Sequence, residues 1–413
     1  MTPPAGGAPD AAGRRLARRI EAMDALRGLA LLGILQVNIQ SFTWGAGEPL
    51  GYLSSPPGTG ESLLYLVQAT LFEGKFYPIF GFLFGVGMAL QLRKLRRLHG
   101  RDAHAVASAY RRRLLILFVL GLAHGLLFYS GDVLATYAAC GLIFMACAPL
   151  RLDALRRFTA WAWALAALAL FAPIAATVLL APETPAGTLP AALTATHEIY
   201  STAGFLAQLR QRASDEVWQQ VGDIPTFWPQ VLALFGLGAI AGRLGWIQAP
   251  SRHRLVWRRA LLLGLGAGLP LSLAGAALSL VRARSQPGSE GGWEGVLLGL
   301  GSLLAAAYVA AALHAFEQPW GLTLRRWLAA PGRLSLSNYV GQSIVMGALF
   351  SGWGLGLGAQ ASRAELALAA CVIFGVQLLV SRAILRRFRQ GPLEALWRRA
   401  TYGAAPVHPG PPH

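Results

Sequence analysis

Residues 23–42 read MDALRGLALLGILQVNIQSF, and this stretch decides the class of protein to which the chain belongs. It is mostly apolar over about the 20 residues that an α-helix needs to cross the hydrocarbon core of a bilayer. A basic tail precedes it and no Ala-x-Ala-type cleavage site follows it, so it differs from a removed signal peptide. We therefore predict an uncleaved first membrane span.

The composition extends this prediction to the whole chain. Of its 413 residues, 54% are hydrophobic and only 13% are charged, which is more apolar surface than one soluble core of this length buries. Apolar runs of roughly spanning length cover residues 25–42, 64–91, 113–129, 132–150, 158–181, 228–248, 260–281, 294–316, 334–356 and 364–385. The predicted fold class is all-α: a polytopic integral membrane protein of about ten transmembrane helices, with the lipid bilayer as its partner.

The positions of Lys and Arg predict the orientation. The chain carries 36 Lys and Arg against 19 Asp and Glu, a net charge of +17. In a soluble protein this balance would suggest nucleic-acid binding, but here the basic residues fall between apolar runs, where they set topology. With the N-terminus inside, most of them lie in cytoplasmic segments, and the opposite segments hold only Arg210, Arg212, Arg282, Arg284 and Arg363. We predict a multi-pass protein of the bacterial inner membrane, with both termini cytoplasmic and no nucleic-acid partner.

The predicted organisation has five parts. They are a basic cytoplasmic tail at 1–22, a membrane half with spans one to five at 23–181, a periplasmic segment at 182–227, a second membrane half with spans six to ten at 228–400, and a disordered tail at 401–413. The periplasmic segment is expected to hold an amphipathic helix around 196–220. The second apolar run is interrupted by Glu73, Gly74 and Lys75, so a surface helix followed by a span from Phe76 onward is an alternative to one long span.

Polar residues inside the apolar runs are the candidates for chemistry, because a charge in hydrocarbon is costly unless it is paired or faces water. Asp24 and Arg27 are one helical turn apart and can form an ion pair. Asn38 follows Arg27 by eleven residues, close to three turns, and shares its face. The three residues indicate either a ligand-binding face or a headgroup anchor with a hydrogen bond to another helix.

Two further pairs lie near the predicted outer boundary. Glu73 and Lys75 are too close in sequence to face each other on one helix, and they indicate either a functional site or an interfacial ion pair. His124 lies late in the third run and Asp132 begins the fourth, so a hairpin would bring them together. A carboxylate that holds the imidazole in one tautomer would make His124 a general base. The alternative is a structural histidine bonded to a backbone carbonyl.

A polar stripe enters the ninth run beside Arg333. Ser335, Asn338 and Gln342 fall at i, i+3 and i+7, on one helix face. Because lipid cannot satisfy these groups, the stripe must face protein or a wet cavity. It predicts either ligand binding or hydrogen bonds that join two helices.

The remaining polar residues of the apolar runs receive structural interpretations. His314 and Gln377 are single polar residues in apolar helices. Cys140, Cys147 and Cys371 are interpreted as small buried hydrophobic residues, since they have no metal-ligand spacing. We therefore predict no metal site and no bound cofactor.

The chain resembles the YeiB-like bacterial inner-membrane proteins, whose C-terminal part is known as domain of unknown function 418. The resemblance covers nearly the whole chain. It is carried by DALRG at 24–28 with Asn38, GKF at 74–76 running into FGFLFG at 80–85, GLAH at 121–124 with GD at 131–132 and YA at 137–138, GRLSLSNY at 332–339 with QS at 342–343, and GPLE at 391–394 with LWR at 396–398. Membership implies a multi-pass protein, sometimes described as transport-associated, and names no reaction.

More distantly, the first two spans are similar to those of transmembrane acyltransferases of the heparan-glucosaminide acetyltransferase type, which also begin with Arg-Gly and an Asn eleven residues after the Arg. This likeness implies transfer of an acyl group from a cytoplasmic donor such as acetyl-CoA to an acceptor at the outer face. Arg27 and Arg333 would hold the donor phosphates. In that group a catalytic His follows the first span, whereas residues 39–61 contain none. His124 would then be a substitute base.

Two functional hypotheses follow. In the first, an acyltransferase-like enzyme uses acyl-CoA as donor substrate, His124 as base oriented by Asp132, and Lys75 or Asn38 to steady the oxyanion. In the second, a transporter or transport-associated protein lines a path with the same polar residues, and one of the two outer pairs handles a proton. The missing loop His weakens the first hypothesis, and the lack of Gly/Pro-broken helices in two corresponding halves weakens the second. The acceptor, whether small molecule, lipid or sugar, and the oligomeric state stay open.

Overall fold

The computed structural model describes residues 11–44, 58–99, 102–180, 191–285 and 293–402, and the regular elements within these ranges are all helical. The first nine helices are α1 Ala11–Trp44, α2 Thr59–Leu71, α3 Tyr77–His99, α4 Ala103–Leu127, α5 Leu134–Cys147, α6 Leu152–Leu180, α7 Ala191–Thr202, α8 Phe205–Thr226 and α9 Trp228–Leu244. The others are α10 Arg254–Leu263, α11 Leu269–Ser285, α12 Trp293–Leu300, α13 Leu304–Glu317, α14 Gly321–Arg333, α15 Ser335–Phe350, α16 Arg363–Arg387 and α17 Pro392–Tyr402. The ends of both predicted tails, 1–10 and 403–413, lie outside the described residues.

Five helical stretches among the described residues are long and apolar enough to cross a membrane: Glu21–Phe42, Leu152–Phe171, Pro250–Arg282, Gly295–Glu317 and Arg363–Arg387. The pair α8–α9 passes the same test only as a unit, and it bends by 61°. The other predicted runs form α3 and α4, which carry clusters of arginines, and α5 and α15, which have only 14 and 16 residues. The all-α membrane class is confirmed, whereas the count of ten spans and the orientation stay predictions.

The first span is the central helix of the fold. α1 packs against α3, α7, α14, α15 and α16, and Leu26, Leu31 and Leu35 are fully buried. At its crossing with α14, a Cβ on Gly332 would lie 1.7 Å from the carbonyl oxygen of Asp24. Glycines allow this close approach. Because lipid chains are as apolar as the helix surfaces, the hydrophobic effect does not hold membrane helices together, and close packing contacts of this kind do so instead. A central position explains why so apolar a helix can carry several polar side chains.

A second close crossing joins α3 to α9. A Cβ on Gly85 would lie 2.3 Å from the carbonyl oxygen of Phe235, and one on Gly238 would lie 2.1 Å from that of Phe82. Next to the crossing, the rings of Phe84 and Phe235 stack with centroids 4.6 Å apart. The glycines of both helices therefore allow a close contact between α3 and α9.

The second apolar run is divided, as the alternative interpretation predicted. α2 ends at Leu71 and α3 begins at Tyr77, and Gly74 between them has a φ of +75°, a conformation that favours glycine. Lys75 turns back, and its Nζ donates to the carbonyl oxygen of Ala69, 3.0 Å away. That carbonyl belongs to the last turn of α2, where no intrahelical donor follows. The lysine is fully buried because it caps a helix end.

The segment predicted to hold one amphipathic helix around 196–220 forms two helices, α7 and α8, that meet at Ala203 and Gly204. α8 turns its polar stripe inward, with Gln208, Arg212 and Glu216 buried against the protein. Its outward face is apolar, and Leu206, Val217, Trp218, Val221 and Ile224 are all more than half exposed. α8 therefore covers a polar interior and presents hydrophobic side chains to its surroundings.

Candidate functional site

The predicted pair of His124 and Asp132 is present, and a serine completes it. His124 lies in the last turn of α4, and Asp132 lies in the turn before α5. Nδ1 of His124 is 2.9 Å from Oδ1 of Asp132, and its Nε2 is 2.9 Å from Oγ of Ser343 in α15. The exposed fractions of the three residues are 3%, 0% and 1%. The array has the connectivity of a Ser-His-Asp triad.

The hydrogen bonds of the Asp132 carboxylate favour one tautomer of His124. Oδ2 of Asp132 accepts from the backbone N–H of Ala135 at 3.0 Å, which anchors the carboxylate at the start of α5. Since an ionised carboxylate only accepts, its other oxygen takes a proton-bearing Nδ1 from His124. Nε2 is then the acceptor for the hydroxyl of Ser343. This tautomer is the one in which a histidine can remove a proton from a serine.

Aromatic rings enclose the imidazole. The ring centroid of Tyr339 lies 4.9 Å from that of His124, and those of Tyr129 and Phe128 lie 6.3 and 6.4 Å away. Surroundings of low polarity strengthen the hydrogen bonds of the array, because water does not compete for them. The array is therefore shielded from water in the structure described here.

Ser343 was not among the predicted site residues. It adjoins Gln342, the last residue of the predicted polar stripe, and it occurs in the quoted family motif. Its partner His124 is 219 residues away along the chain, so no local spacing could connect them. The signal available in the sequence was its position in an apolar run, directly after the amide side chain of Gln342.

A polar cleft of about 610 Å³ lies beside the array. α1 contributes Gln36 and Gln40, α2 contributes Gln68, and α8 contributes Asp215 and Asp223. The segment 129–131, directly before Asp132 in the chain, forms part of the same wall. Tyr129, whose ring centroid lies 6.3 Å from that of His124, therefore contacts the surroundings of both the cleft and the array.

Arg363 is the buried cation of this cleft, at 4% exposure. Its Nη1 donates to the side-chain oxygens of Gln40 and of Gln68, the latter at 2.9 Å. Nε2 of Gln40 also donates to that oxygen of Gln68, at 3.0 Å. The sequence placed Arg363 in an outer segment as one of few basic residues, and its role in joining α1, α2 and α16 was not predicted.

The two arginines proposed for the donor lie near the crossing of α1 and α14. Nη1 of Arg27 pairs with Asp24 at 2.8 Å, and the arginine side chain is 28% exposed. Gly332, next to Arg333, lies against the backbone of Asp24, and Nη2 of Arg333 donates to the carbonyl of Arg389 at 3.3 Å. The expected grouping of Asp24, Arg27 and Arg333 is therefore present in space.

The predicted stripe joins helices. Nδ2 of Asn338 donates to the carbonyl of Pro331 at 3.1 Å and to Oγ of Ser381 at 2.9 Å, and Nε2 of Gln342 donates to Gln377 at 2.8 Å. These contacts tie α15 to α16, which matches the structural interpretation of the stripe. Ser335 is half-buried at the start of α15 and makes no side-chain hydrogen bond among the described residues.

The remaining candidates lie apart from His124. Glu73 lines the cleft, and Lys75 caps α2. Asn38 is half-buried in α1, does not line the cleft, and makes no side-chain hydrogen bond among the described residues. Within that part of the chain, the side chain of His124 bonds only to Asp132 and Ser343. The predicted oxyanion role of Lys75 or Asn38 therefore has no support from these contacts.

Of the three cysteines, only Cys371 is exposed, against the expectation of burial.

Glu216 of α8, outside the five spans, lies next to the histidine array. Its Oε2 is 2.6 Å from the position of a Cβ on Gly125, the residue after His124, and it has no hydrogen-bond partner among the described residues. Burial raises the pKa of Glu216 to about 7, the hydrogen bond from Gln220 lowers it, and the charges of Asp132 and Asp223 raise it. The neutral form is therefore favoured in the folded protein.

This raised pKa predicts a pH-dependent stability. Between pH 4.5, where an unfolded Glu216 ionises, and about 7, the folded protein holds a proton that the unfolded chain has lost. We expect stability from this residue to fall as the pH rises through that window, and Glu216→Gln to remove that part of the pH dependence. Thermal unfolding in detergent measures it, with the exposed Glu198→Gln as control. Parallel profiles for the wild type and Glu216→Gln would contradict this assignment.

The fold and site define an all-α membrane protein with a buried Asp-His-Ser array beside a polar cleft. Residues 241–404 match a family model described as Protein of unknown function (DUF418). The chain is 28% identical to Uncharacterized protein YxaH of Bacillus subtilis (strain 168), over 93% of this chain and 94% of that one. It is also 28% identical to Uncharacterized protein YeiB of Escherichia coli (strain K12), over 93% and 96%. These matches support the YeiB-like family that the motifs of the chain indicated, and the names of these relatives state no activity.

Proposed function

We propose that this protein is an acyltransferase-like membrane enzyme in which His124 is the general base. One observation carries the proposal: the two ring nitrogens of His124 are each 2.9 Å from a partner, Asp132 on one side and the hydroxyl of Ser343 on the other. A histidine held in this way by a carboxylate activates a serine hydroxyl in acyl-transfer enzymes. The distant resemblance of the first two spans supports the same reaction class.

The reaction proceeds in two balanced steps. Oγ of Ser343 attacks the carbonyl carbon of an acyl thioester while its proton passes to Nε2 of His124, and the thiol leaves with that proton. An acceptor hydroxyl or amine then attacks the serine ester, His124 takes the acceptor proton, and Ser343 regains it as the acyl group departs. Asp132 keeps the imidazole oriented and stabilises its protonated form. Because all three side chains are buried, catalysis requires a local opening.

The arrangement suits a donor with a long flexible arm. Arg27 lies near the start of the span Glu21–Phe42 in α1, Arg333 is the last residue of α14, and phosphates bind well to guanidinium groups. Ser343 is about 12 Å further along α15, given a rise of roughly 1.5 Å per residue from Ser335. A coenzyme A thioester spans such a gap between its phosphates and its acyl group.

Donor binding is the experimental test. The purified wild type in detergent should bind acetyl-CoA, and the Arg27→Ala/Arg333→Ala variant should lose binding at least about tenfold, since two charge-assisted contacts disappear. Isothermal titration calorimetry measures the dissociation constant. Arg156→Ala/Arg157→Ala, two exposed arginines of α6, is the matched control and should bind as the wild type does. No measurable binding to the wild type at millimolar acetyl-CoA would end the enzyme proposal.

A second candidate, transport, is favoured by one feature. α8 and α9 form a helix pair bent by 61°, and discontinuous helices of this kind build substrate sites in many transporters. α8 also lines the polar cleft through Asp215 and Asp223. Accumulation of a solute in proteoliposomes without acylation of any acceptor would favour transport over the enzyme.

A further inference from the structure

The polar cleft is an unassigned binding site, and we infer that it takes the zwitterionic headgroup of a membrane lipid, with an ammonium group next to a phosphate. The role of that headgroup as acyl acceptor rests on the proposed function, whereas its binding does not. The charges, unpartnered polar groups and outer faces of the cleft each support this class of ligand.

The charges of the cleft match an ammonium group. Among the described residues that line it there are three carboxylates, those of Glu73, Asp215 and Asp223, and one cation, Arg363. Asp215 already accepts from Tyr200 and Gln211, each at 2.8 Å. The side-chain carboxylates of Glu73 and Asp223 accept no hydrogen bond from the described residues, and the Asp223 backbone carbonyl accepts from the N–H of Phe227. Two carboxylates without donors in a half-buried cleft are acceptors for the N–H groups of a primary ammonium.

The phosphate of the headgroup also has binding partners in the cleft. Arg363 is buried and held by the oxygens of Gln40 and Gln68, so its guanidinium is pre-organised. Nε2 of Gln68 is buried and has no hydrogen-bond partner among the described residues, and it is a second donor at the same wall. A phosphate that accepts from Gln68 beside the positive charge of Arg363 would satisfy this group.

The outer faces beside the cleft indicate a lipid rather than a free solute. α2 lines the cleft through Tyr65 and Gln68, and it exposes Leu63 and Val67 on its other side, at 63% and 41%. α8 lines the cleft through Asp215 and Asp223 and exposes apolar side chains that do not line it, among them Val217, at 61%. Helices that are polar toward a cleft and apolar outward suit the boundary between headgroups and acyl chains. A lipid could place its headgroup in the cleft while its chains remain in the bilayer.

The proposed acceptor is therefore the primary amine of such a headgroup. The bound ammonium first loses one proton to the carboxylate of Glu73 or Asp223. In the second step of the proposed reaction, the resulting amine attacks the ester carbon of Ser343 and loses a second proton to His124, and an amide forms as Oγ of Ser343 departs with that proton. Tyr129 of the loop 129–131 lines the cleft, and its ring centroid lies 6.3 Å from that of His124, so a movement of this loop would bring the amine toward the serine.

Lipid binding by native mass spectrometry of the full chain tests the inference. With added phosphatidylethanolamine or phosphatidylglycerol, we expect the first to bind at least about tenfold more tightly, because only it carries the ammonium. Asp223→Asn should remove most of this preference, and so should Glu73→Gln. Asp153→Asn, an exposed residue on α6, should leave it unchanged. Equal affinities of the wild type for the two lipids, or a preference that survives both variants, would overturn the inference.

Two further measurements are needed. One distinguishes a lipid from a free headgroup, and the other distinguishes failure of this inference from failure of the proposed function. Soluble phosphoethanolamine should compete only at concentrations far above those of the lipid, and competition at equal concentration would overturn the assignment to a lipid. The Ser343→Ala variant should retain the preference for phosphatidylethanolamine while losing acyl transfer. If acyl transfer to another acceptor persists without any lipid preference, the inference fails and the proposed function stands.

Discussion

If the proposed function holds, we expect Ser343→Ala to lower acyl transfer per folded molecule by about 10³-fold, and His124→Gln to have an effect of the same order. Each substitution removes one end of the 2.9 Å contact between the hydroxyl and Nε2. Because the two residues act on one proton, the double variant should be no slower than either single one. Transfer of a radiolabelled acetyl group from acetyl-CoA to extracted membrane lipids measures the rate.

Stability must be measured beside the rate, because His124 and Asp132 are both buried. Removing the histidine leaves the buried carboxylate without the N–H donor of its imidazole, which costs roughly 1–3 kcal/mol, and more where the unsatisfied group is charged. Ser343→Ala removes one hydroxyl and avoids this cost. His314→Gln, at an exposed histidine of α13, is the matched control and should change neither property. Full activity of folded Ser343→Ala, together with a low yield of His124→Gln, would assign a structural role to the histidine.

Gly332→Ala should prevent the chain from folding. Its Cβ would lie 1.7 Å from the carbonyl oxygen and 2.6 Å from the carbonyl carbon of Asp24, both backbone atoms that no side-chain rotation can move. α14 would have to separate from α1, with loss of packing at the centre of the fold, at a cost of about 4 kcal/mol or more. The yield of monodisperse protein in fluorescence-detected size-exclusion chromatography measures this effect.

Gly341→Ala is the control for the glycine prediction. It lies in α15, where a Cβ would meet nothing within 4 Å, so alanine should be neutral or stabilising by about 0.5–1 kcal/mol through its helix propensity. Wild-type yield and melting temperature for Gly332→Ala would show that α1 and α14 do not cross as closely as described.

Local spacing predicted some of the site correctly. His124 and Asp132 are eight residues apart across one turn, and Asp24 and Arg27 are one helical turn apart, so each pair is joined by local geometry. The break at Gly74 was also visible, because Glu73 and Lys75 interrupt an apolar run that is too long for one span. In these cases the interacting residues and the backbone that positions them lie in one short segment.

Contacts between distant segments were beyond such reasoning. Ser343 meets His124 only because α15 packs near the end of α4, and Arg363, expected in an outer segment, bonds to Gln40 and Gln68 in two other helices. The polar stripe of α15 had two open interpretations, and its contacts with Ser381 and Gln377 favour the structural one. Sequence periodicity defines which face of a helix is polar, but not which helix that face meets.

The sequence by itself determined that this protein is helical and belongs in a membrane, because runs of apolar residues satisfy their backbone in lipid only as helices. It also identified the charged and amide side chains whose placement in lipid costs free energy unless they are paired. Only the tertiary structure decided that His124 lies between a carboxylate and a serine, and that an arginine and three carboxylates line one cleft. The physical reason is that pairing of buried polar groups depends on helix crossings, which are set by glycine contacts and side-chain packing across hundreds of residues of chain.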